Sequence, residues 1–83
     1  MILTKCERIV MDVIWSADHD MALQEIIDDV NKGRQKEWSK TAVKAFIKRL
    51  RRKHYIIKYR QNHTIKYKPI CSREEALPYL IIV

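Results

Sequence analysis

Between Ser39 and Lys53 the chain reads SKTAVKAFIKRLRRK, with seven Lys or Arg in fifteen residues and no acid. Cations at that density do one kind of chemistry: they hold polyanions. Lys44 and Lys48 stand four residues apart, so on a helix they project from one side. Thr41, Ala45 and Arg52 share that side, while Lys40, Arg49 and Arg51 lie on its flanks. Val43, Phe46, Ile47 and Leu50 fall on the opposite face, the pattern of an amphipathic helix with its apolar side turned inward. An α-helix fits the major groove of B-DNA, and residues on its exposed face reach base edges. Lys44 sits early in the helix, placed for a base edge near a guanine or for a phosphate. Thr41 can donate to either. Lys48 and Arg52, one and two turns later, are placed for phosphates, and Lys40, on the flank at the helix start, is counted among the DNA-binding residues of this helix.

The plainer alternative is a solvated cationic face, which many helices carry. The extent of the charge argues against it. Residues 40–68 hold eleven bases and no acid, whereas residues 1–39 hold eight acids and five bases. The formal charge is +7 overall, and all of the excess lies in that one block. Such a block repels itself unless it faces an anion. Nucleic acid is the commonest anion of that size, and a membrane surface is the next candidate. The membrane fits poorly, because the outer face of this helix lacks exposed large apolar groups.

The block continues past the helix into a segment of different period. Tyr55, Ile57 and Tyr59 alternate with Ile56, Lys58 and Arg60, and Ile65, Tyr67 and Pro69 alternate with Lys66, Lys68 and Ile70. Two strands joined across Gln61-Asn62-His63 make a β-hairpin, since Asn tolerates positive φ. A basic hairpin tip lies over a phosphate or dips into the minor groove. Arg60, Asn62 and His63 are read in that role. Lys66 and Lys68 carry two readings: DNA contact, or lysines that guard a strand edge against aggregation. Tyr55, Tyr59 and Tyr67 are expected in cross-strand packing beside isoleucines, although tyrosines on a basic sheet can also stack bases of a single strand. Trp15 and Trp38 are expected in the core.

Other chemistries find little support. There is no glycine-rich phosphate loop and no nucleophile with a plausible base. Asp28 and Asp29 are adjacent, so on a helix they point apart. Cys6 and Cys71 form neither a disulfide framework nor a zinc site, because no second Cys or His lies at ligand spacing. They read as reduced thiols of a cytoplasmic protein. His19, His54 and His63 are scattered. The chain is therefore read as a non-enzyme without cofactor, and the longest apolar run, Leu80 to Val83, is far too short to span a bilayer.

The elements that must position the basic face follow from caps and period. With 83 residues, 47% of them hydrophobic, the chain suffices for one small domain with a thin core. Thr4 and Glu7 form a capping box for a first helix, with Cys6, Ile9, Val10, Val13, Ile14 and Ala17 as its apolar stripe. That helix ends near Ser16 to Asp18. Met21 to Leu23 is a short extended piece. A second helix over Leu23 to Asn31 turns Leu23, Ile26, Ile27 and Val30 inward and closes near Gly33. Ser39 caps the third helix. Ser72, with Glu75, opens another. The expected fold is mainly α with small β: a winged helix-turn-helix of three helices plus a β-hairpin wing. Such a fold places its third helix in the major groove and its hairpin against the backbone.

The segments LTKCERIVMDVIW, QEIIDDVN, WSKTAVKAFIKRLRRK and IKYKPICSREEAL together resemble the penicillinase and methicillin-resistance repressors and the related copper-operon repressors. The tightest match is Trp38, Ser39, Val43, Lys44, Arg49 and Leu50, with Ser72-Arg73-Glu74-Glu75 as a second marker. The resemblance implies a transcriptional repressor that occupies a dyad operator as a homodimer, often built on TACA and TGTA half-sites. The positions matching the family's groove contacts are Thr41, Ala42, Lys44 and Ala45. Where relatives usually carry Thr, this chain has Ala42 and Ala45, which lose hydroxyl donors but can still meet a thymine methyl. His54 replaces the glycine that usually closes the third helix. Relatives continue into a helical dimerisation region. Here the winged helix is expected over residues 1–71, and residues 72–83, ending LPYLIIV, read as a truncated start of that region. The alternative from another class is a winged-helix interaction module that binds RNA or an acidic protein surface.

Either polyanion reading makes binding strongly salt-dependent. If one module neutralises about four phosphates, log K should fall against log salt with a slope of roughly −3.6. Titration of a fluorescent duplex across a salt series measures it, and a slope near zero would remove the electrostatic basis of the reading.

Overall fold

A computed structural model describes residues 3–33, 35 and 37–76. The elements run α1 (Lys5–Ser16), β1 (Met21–Ala22), α2 (Leu23–Asn31), α3 (Lys40–Arg52), β2 (Ile56–Gln61), β3 (Thr64–Pro69) and α4 (Arg73–Ala76). The strands form one antiparallel sheet in the order β1-β3-β2. Three helices with a hairpin behind them are the winged helix-turn-helix that caps and period foretell.

Each helix starts where a side chain meets the unpaired N–H groups of its first turn. Thr4 Oγ1 accepts from the Glu7 N–H at 3.2 Å, and Glu7 Oε1 accepts from the Thr4 N–H at 2.9 Å. Ser39 Oγ accepts from the Ala42 N–H at 3.1 Å. Ser72 and Glu75 repeat the reciprocal pair at α4. In α2 the cap residue is Ala22, whose side chain has nothing to offer; Glu25 reaches back to its N–H instead, at 3.0 Å.

The core gathers Leu3, Val10, Met11, Ile14, Met21, Ile26, Ile27, Val30, Val43, Ile47, Leu50, Tyr55, Ile56, Tyr67 and Ala76. Three details differ from the sequence expectation. In α1 the buried stripe is centred on Val10, Met11 and Ile14, while Cys6, Ile9, Val13 and Ala17 sit half-buried at its edges. Trp15 and Trp38 are also at the edge, partly buried and packed against the core, with the Trp15 indole donating to the Cys71 carbonyl at 2.9 Å. In the hairpin Ile56, not Ile57, faces the core; Ile57 is 46% exposed. Pairing of Ile56 with Pro69, Lys58 with Tyr67 and Arg60 with Ile65 places those six on one face, and Ile57 and Tyr59 on the other with Lys68 and Lys66. Tyr59 donates from its hydroxyl to Asp20 rather than packing inward.

The exit from α3 sets that parity. The His54 N–H bonds the Arg51 carbonyl at 3.1 Å and the Tyr55 N–H bonds the Leu50 carbonyl at 3.0 Å. This is the Schellman closure, and it requires a left-handed residue at His54, where φ is 62°. Histidine accepts there a conformation that glycine takes without steric cost, at about 1 kcal/mol. The wing turn is a two-residue type I′ turn, with φ of 50° at Asn62 and 68° at His63, the hand that matches strand twist.

Glu7 joins the first and third helices. Its carboxylate is 1% exposed, and the Oε1 atom that accepts from Thr4 also accepts from Lys53 Nζ at 2.6 Å. Burial pushes this carboxyl up; the Lys53 hydrogen bond, the Thr4 N–H and the Lys53 charge together outweigh it and leave the pKa below the ordinary 4.5. A depressed carboxyl contributes stability that is fully present above about pH 4.5 and lost as pH falls through the folded value. Lys53 is 23% exposed and can turn to water when its partner goes, whereas Glu7 cannot. Lys53→Met should therefore cost more, about 2–3 kcal/mol, than Glu7→Gln, about 1 kcal/mol, because glutamine still accepts from Thr4. Urea melts of both variants between pH 3 and 7 test this. The parent should lose stability below pH 4.5, and Glu7→Gln should lose less over the same range.

Candidate nucleic-acid interface

The face that α3 turns to solvent is held at its start and along its length. The Asn31 side chain brackets the backbone of Trp38, accepting from its N–H at 2.8 Å and donating to its carbonyl at 3.0 Å. That clamp fixes the end of the loop from α2 and hands Ser39 to its capping role. Trp38 lies against Phe46 with ring centroids 5.0 Å apart, and the Arg49 guanidinium sits 5.7 Å over the Phe46 ring. Phe46 is thereby fixed on the flank of α3, and its inner residues Val43, Ile47 and Leu50 are buried.

The outer face carries Lys40, Thr41, Lys44, Ala45, Lys48 and Arg52, all exposed. Ala42 is half-buried beside the Ser39 cap. Thr41, Lys44, Ala45 and Lys48 come together in a groove of about 270 Å³ between α3 and the hairpin, completed by Ile47, Arg51, Lys58 and Tyr67. Lys40, Ala42 and Arg52 do not line it. Arg52 frames a shallower hollow of about 240 Å³ with Lys48 and Arg51.

Two cations in this arrangement, Arg51 and Lys58, fall outside the sequence-derived set. Arg51 belongs to the helical series 44, 48, 51 on the groove side. Lys58 lies opposite Tyr67 on the sheet face that looks toward α3, and alternation puts Arg60 on the same face. The signal for Lys58 was strand parity, which could not be read while the choice between Ile56 and Ile57 as the inward residue was open.

At the wing, Arg60, Asn62 and His63 are exposed at or beside the turn. Lys66 is elsewhere. It lies on the opposite face of the central strand β3, half-buried, 3.9 Å from Glu25. Glu25 is itself tied down there: it caps Ala22 and meets His19 at 2.7 Å, and these contacts, the cap first, hold its pKa below the ordinary value. His19 bonds Asp18 as well, at 2.9 Å, and the two carboxylates raise its pKa. Glu25 and Asp18 thus lie on that side of the sheet, and neither lines the groove.

Among the described residues, no three His, Cys, Asp or Glu side chains are grouped so as to hold a metal ion, and Cys6 and Cys71 are free. Among the same residues no helix is long and apolar enough to cross a membrane. What the geometry offers is a convex basic helix beside a basic hairpin, with a groove between them that Lys44, Lys48, Arg51 and Lys58 surround.

A helix-turn-helix with a hairpin wing and a cationic third helix is a winged-helix DNA-binding domain. The chain belongs to the penicillinase repressor family, whose model matches residues 3–79. That family consists of DNA-binding transcriptional repressors, and this protein is one of that kind. A search of curated proteins finds no match.

The placement of the cations separates their expected effects. Lys44→Ala should cost on the order of 1–3 kcal/mol and relax preference at one base position. Lys58→Ala should weaken binding to all duplexes alike and flatten the salt slope by about one unit. Lys66→Ala, facing Glu25, should change either quantity less than Lys58→Ala. Anisotropy titrations on matched and scrambled duplexes distinguish the three.

Proposed function

We propose that this chain is a sequence-specific reader of double-stranded DNA that represses transcription by occupying a dyad operator as a dimer in the intact protein. The observation that carries the reading is the one-sided distribution of charge. Of the eleven bases in residues 40–68, Lys53 and Lys66 lie within ion-pair distance of described carboxylates, and the other nine make no such pair among the described residues. An unpaired cation releases a counterion when it meets a phosphate; one already neutralised by a carboxylate gains less. The nine include every cation of the α3 face and Arg60 beside the wing turn.

In this reading α3 enters the major groove, with Thr41, Lys44 and Ala45 nearest the bases and Lys40, Lys48 and Arg52 on phosphates. Arg51 and Lys58 meet phosphates that flank the bases α3 reads. Arg60, Asn62 and His63 meet the backbone beyond it. Residues 1–71 form the DNA-binding unit. In this reading residues 72–83 begin the region that joins two copies; α4 (Arg73–Ala76) lies within that span, and residues 77–83 lie outside the described residues. A single module buries little area and binds weakly, and linking two modules raises affinity without new contacts. The same basic face would also suit RNA or an acidic protein surface, and competition separates these partners.

Selection from a randomised duplex library at physiological salt is the direct test. Enrichment of an inverted repeat is the expected result. Retention that is salt-sensitive yet shows no enriched sequence would mean that the face holds phosphates without reading bases.

A further inference from the structure

We infer that Ala45 determines specificity by seating a thymine methyl group in the groove between α3 and the wing, so that the protein reads a C5-methyl where a hydrogen-bond donor would otherwise stand. The inference rests on the DNA-reading function proposed above and names what one position of the duplex must carry.

Two alanines interrupt the cationic face of α3, and the structure treats them differently. Ala42 is half-buried at the helix start beside the Ser39 cap and does not line the groove. Ala45 is exposed and lies in the groove with Lys44 beside it. Thr41, one turn earlier, and Lys48, nearly one turn later, flank Ala45 on the helix surface. The lining at this point is short: a methyl from Ala45 and a methyl and hydroxyl from Thr41. The long side chains Lys44, Lys48, Arg51 and Lys58 surround it.

That contour has a chemical consequence. The cations are long enough to reach phosphates or outlying base atoms from several positions. Ala45 cannot reach out, so anything that touches it must come to the helix. It also has no polar atom, so it cannot satisfy the amino donors of cytosine or adenine or the carbonyl acceptor of guanine. Thymine is the one base that projects an apolar group into the major groove, and alanine or the threonine methyl is its natural counterpart. A cytosine at the same place would leave a small void against Ala45. A longer side chain at residue 45 would hold the helix away from the base edges.

The test uses the 83-residue chain and its selected duplex, with each thymine replaced singly by uracil, which deletes the methyl and leaves the hydrogen-bonding edge intact. Affinities are read by anisotropy at one salt concentration. One thymine in each half-site should show about fourfold weaker binding as uracil, the equivalent of one buried methyl at about 0.8 kcal/mol. In Ala45→Ser, which keeps the helix but puts a hydroxyl at the contact, the thymine and uracil duplexes should bind equally. Circular dichroism establishes that the variant is folded, and Ala45→Gln, a better helix former, serves if it is not. If uracil costs nothing at any position while the selected duplex still outcompetes a scrambled one, the methyl contact is wrong and the DNA reading stands. If a uracil penalty persists undiminished in the Ala45 variant, another residue makes the contact and the assignment falls. If no duplex is preferred over another, both the assignment and the function it rests on are wrong.

Discussion

One oxygen atom sets the geometry on which the basic face depends. Glu7 Oε1 closes the first turn of α1 through Thr4 and receives the ammonium of Lys53, the C-cap residue of α3. A helix start and a helix end 46 residues apart in sequence are thereby pinned to the same point. The apolar contacts of Val10, Met11, Val43, Ile47 and Leu50 supply most of the attraction between these helices, but they are non-directional. A buried, charge-assisted hydrogen bond is directional, and it fixes how far α3 slides and turns over α1. Immediately after Lys53 the chain passes through left-handed His54 into the hairpin. The same junction therefore aims both the helix and the wing.

The wing follows from that junction by parity. The Schellman closure turns Tyr55 and Ile56 inward, and alternation then sends Lys58 and Arg60 to the α3 side and Ile57 and Tyr59 to the back. A one-residue slip would exchange the faces, exposing Ile56 and Tyr67 and turning Lys58 away from the groove. Two further contacts oppose the slip. Met21 in β1 pairs with Tyr67 on the core side, and Tyr59 is held by Asp20 on the other. The short strand β1, only two residues long, thus has a registering role larger than its size.

This explains what could and could not be read from the sequence. Caps and turns are local: Thr4 with Glu7, Ser39 with Ala42, Ser72 with Glu75 and the Asn62-His63 turn each act over a few residues, and all were legible. So were the span of α2 and the cationic face of α3, which depend only on helical period. Hairpin parity was not, because Ile56 and Ile57 are equally apolar neighbours and the choice between them is made by α3 and β1. Glu7 was legible as a cap and illegible as an ion-pair partner, since its second contact lies on another element. Lys58 and Arg51 were missed for the same reason: their place in the groove is a property of two elements at once. The departure at His54 was visible as a residue, and the structure shows that the backbone keeps the left-handed form regardless.

The charge pattern along the chain becomes a pattern in space by a division of labour among the acids. Glu7 neutralises Lys53 at the helix junction, Glu25 attends Lys66 behind the sheet, and Asp12 attends Arg73 at the start of α4. None of these carboxylates faces the groove. Had one of them faced Lys44 or Lys48, the local charge would cancel and binding would have to displace it. Leaving the front face without acids makes the free protein repel itself there, which lowers its stability at low salt. The penalty is the counterpart of affinity: the repulsion that phosphates or salt relieve is part of what drives the face onto a polyanion. A small core can bear that penalty only because the cations stand on a helix whose inner side is fully buried and whose ends are tied. The Asn31 clamp at one end and the Glu7–Lys53 pair at the other are therefore conditions for the basic face, since without them the repulsion along α3 would be free to loosen the helix it lines.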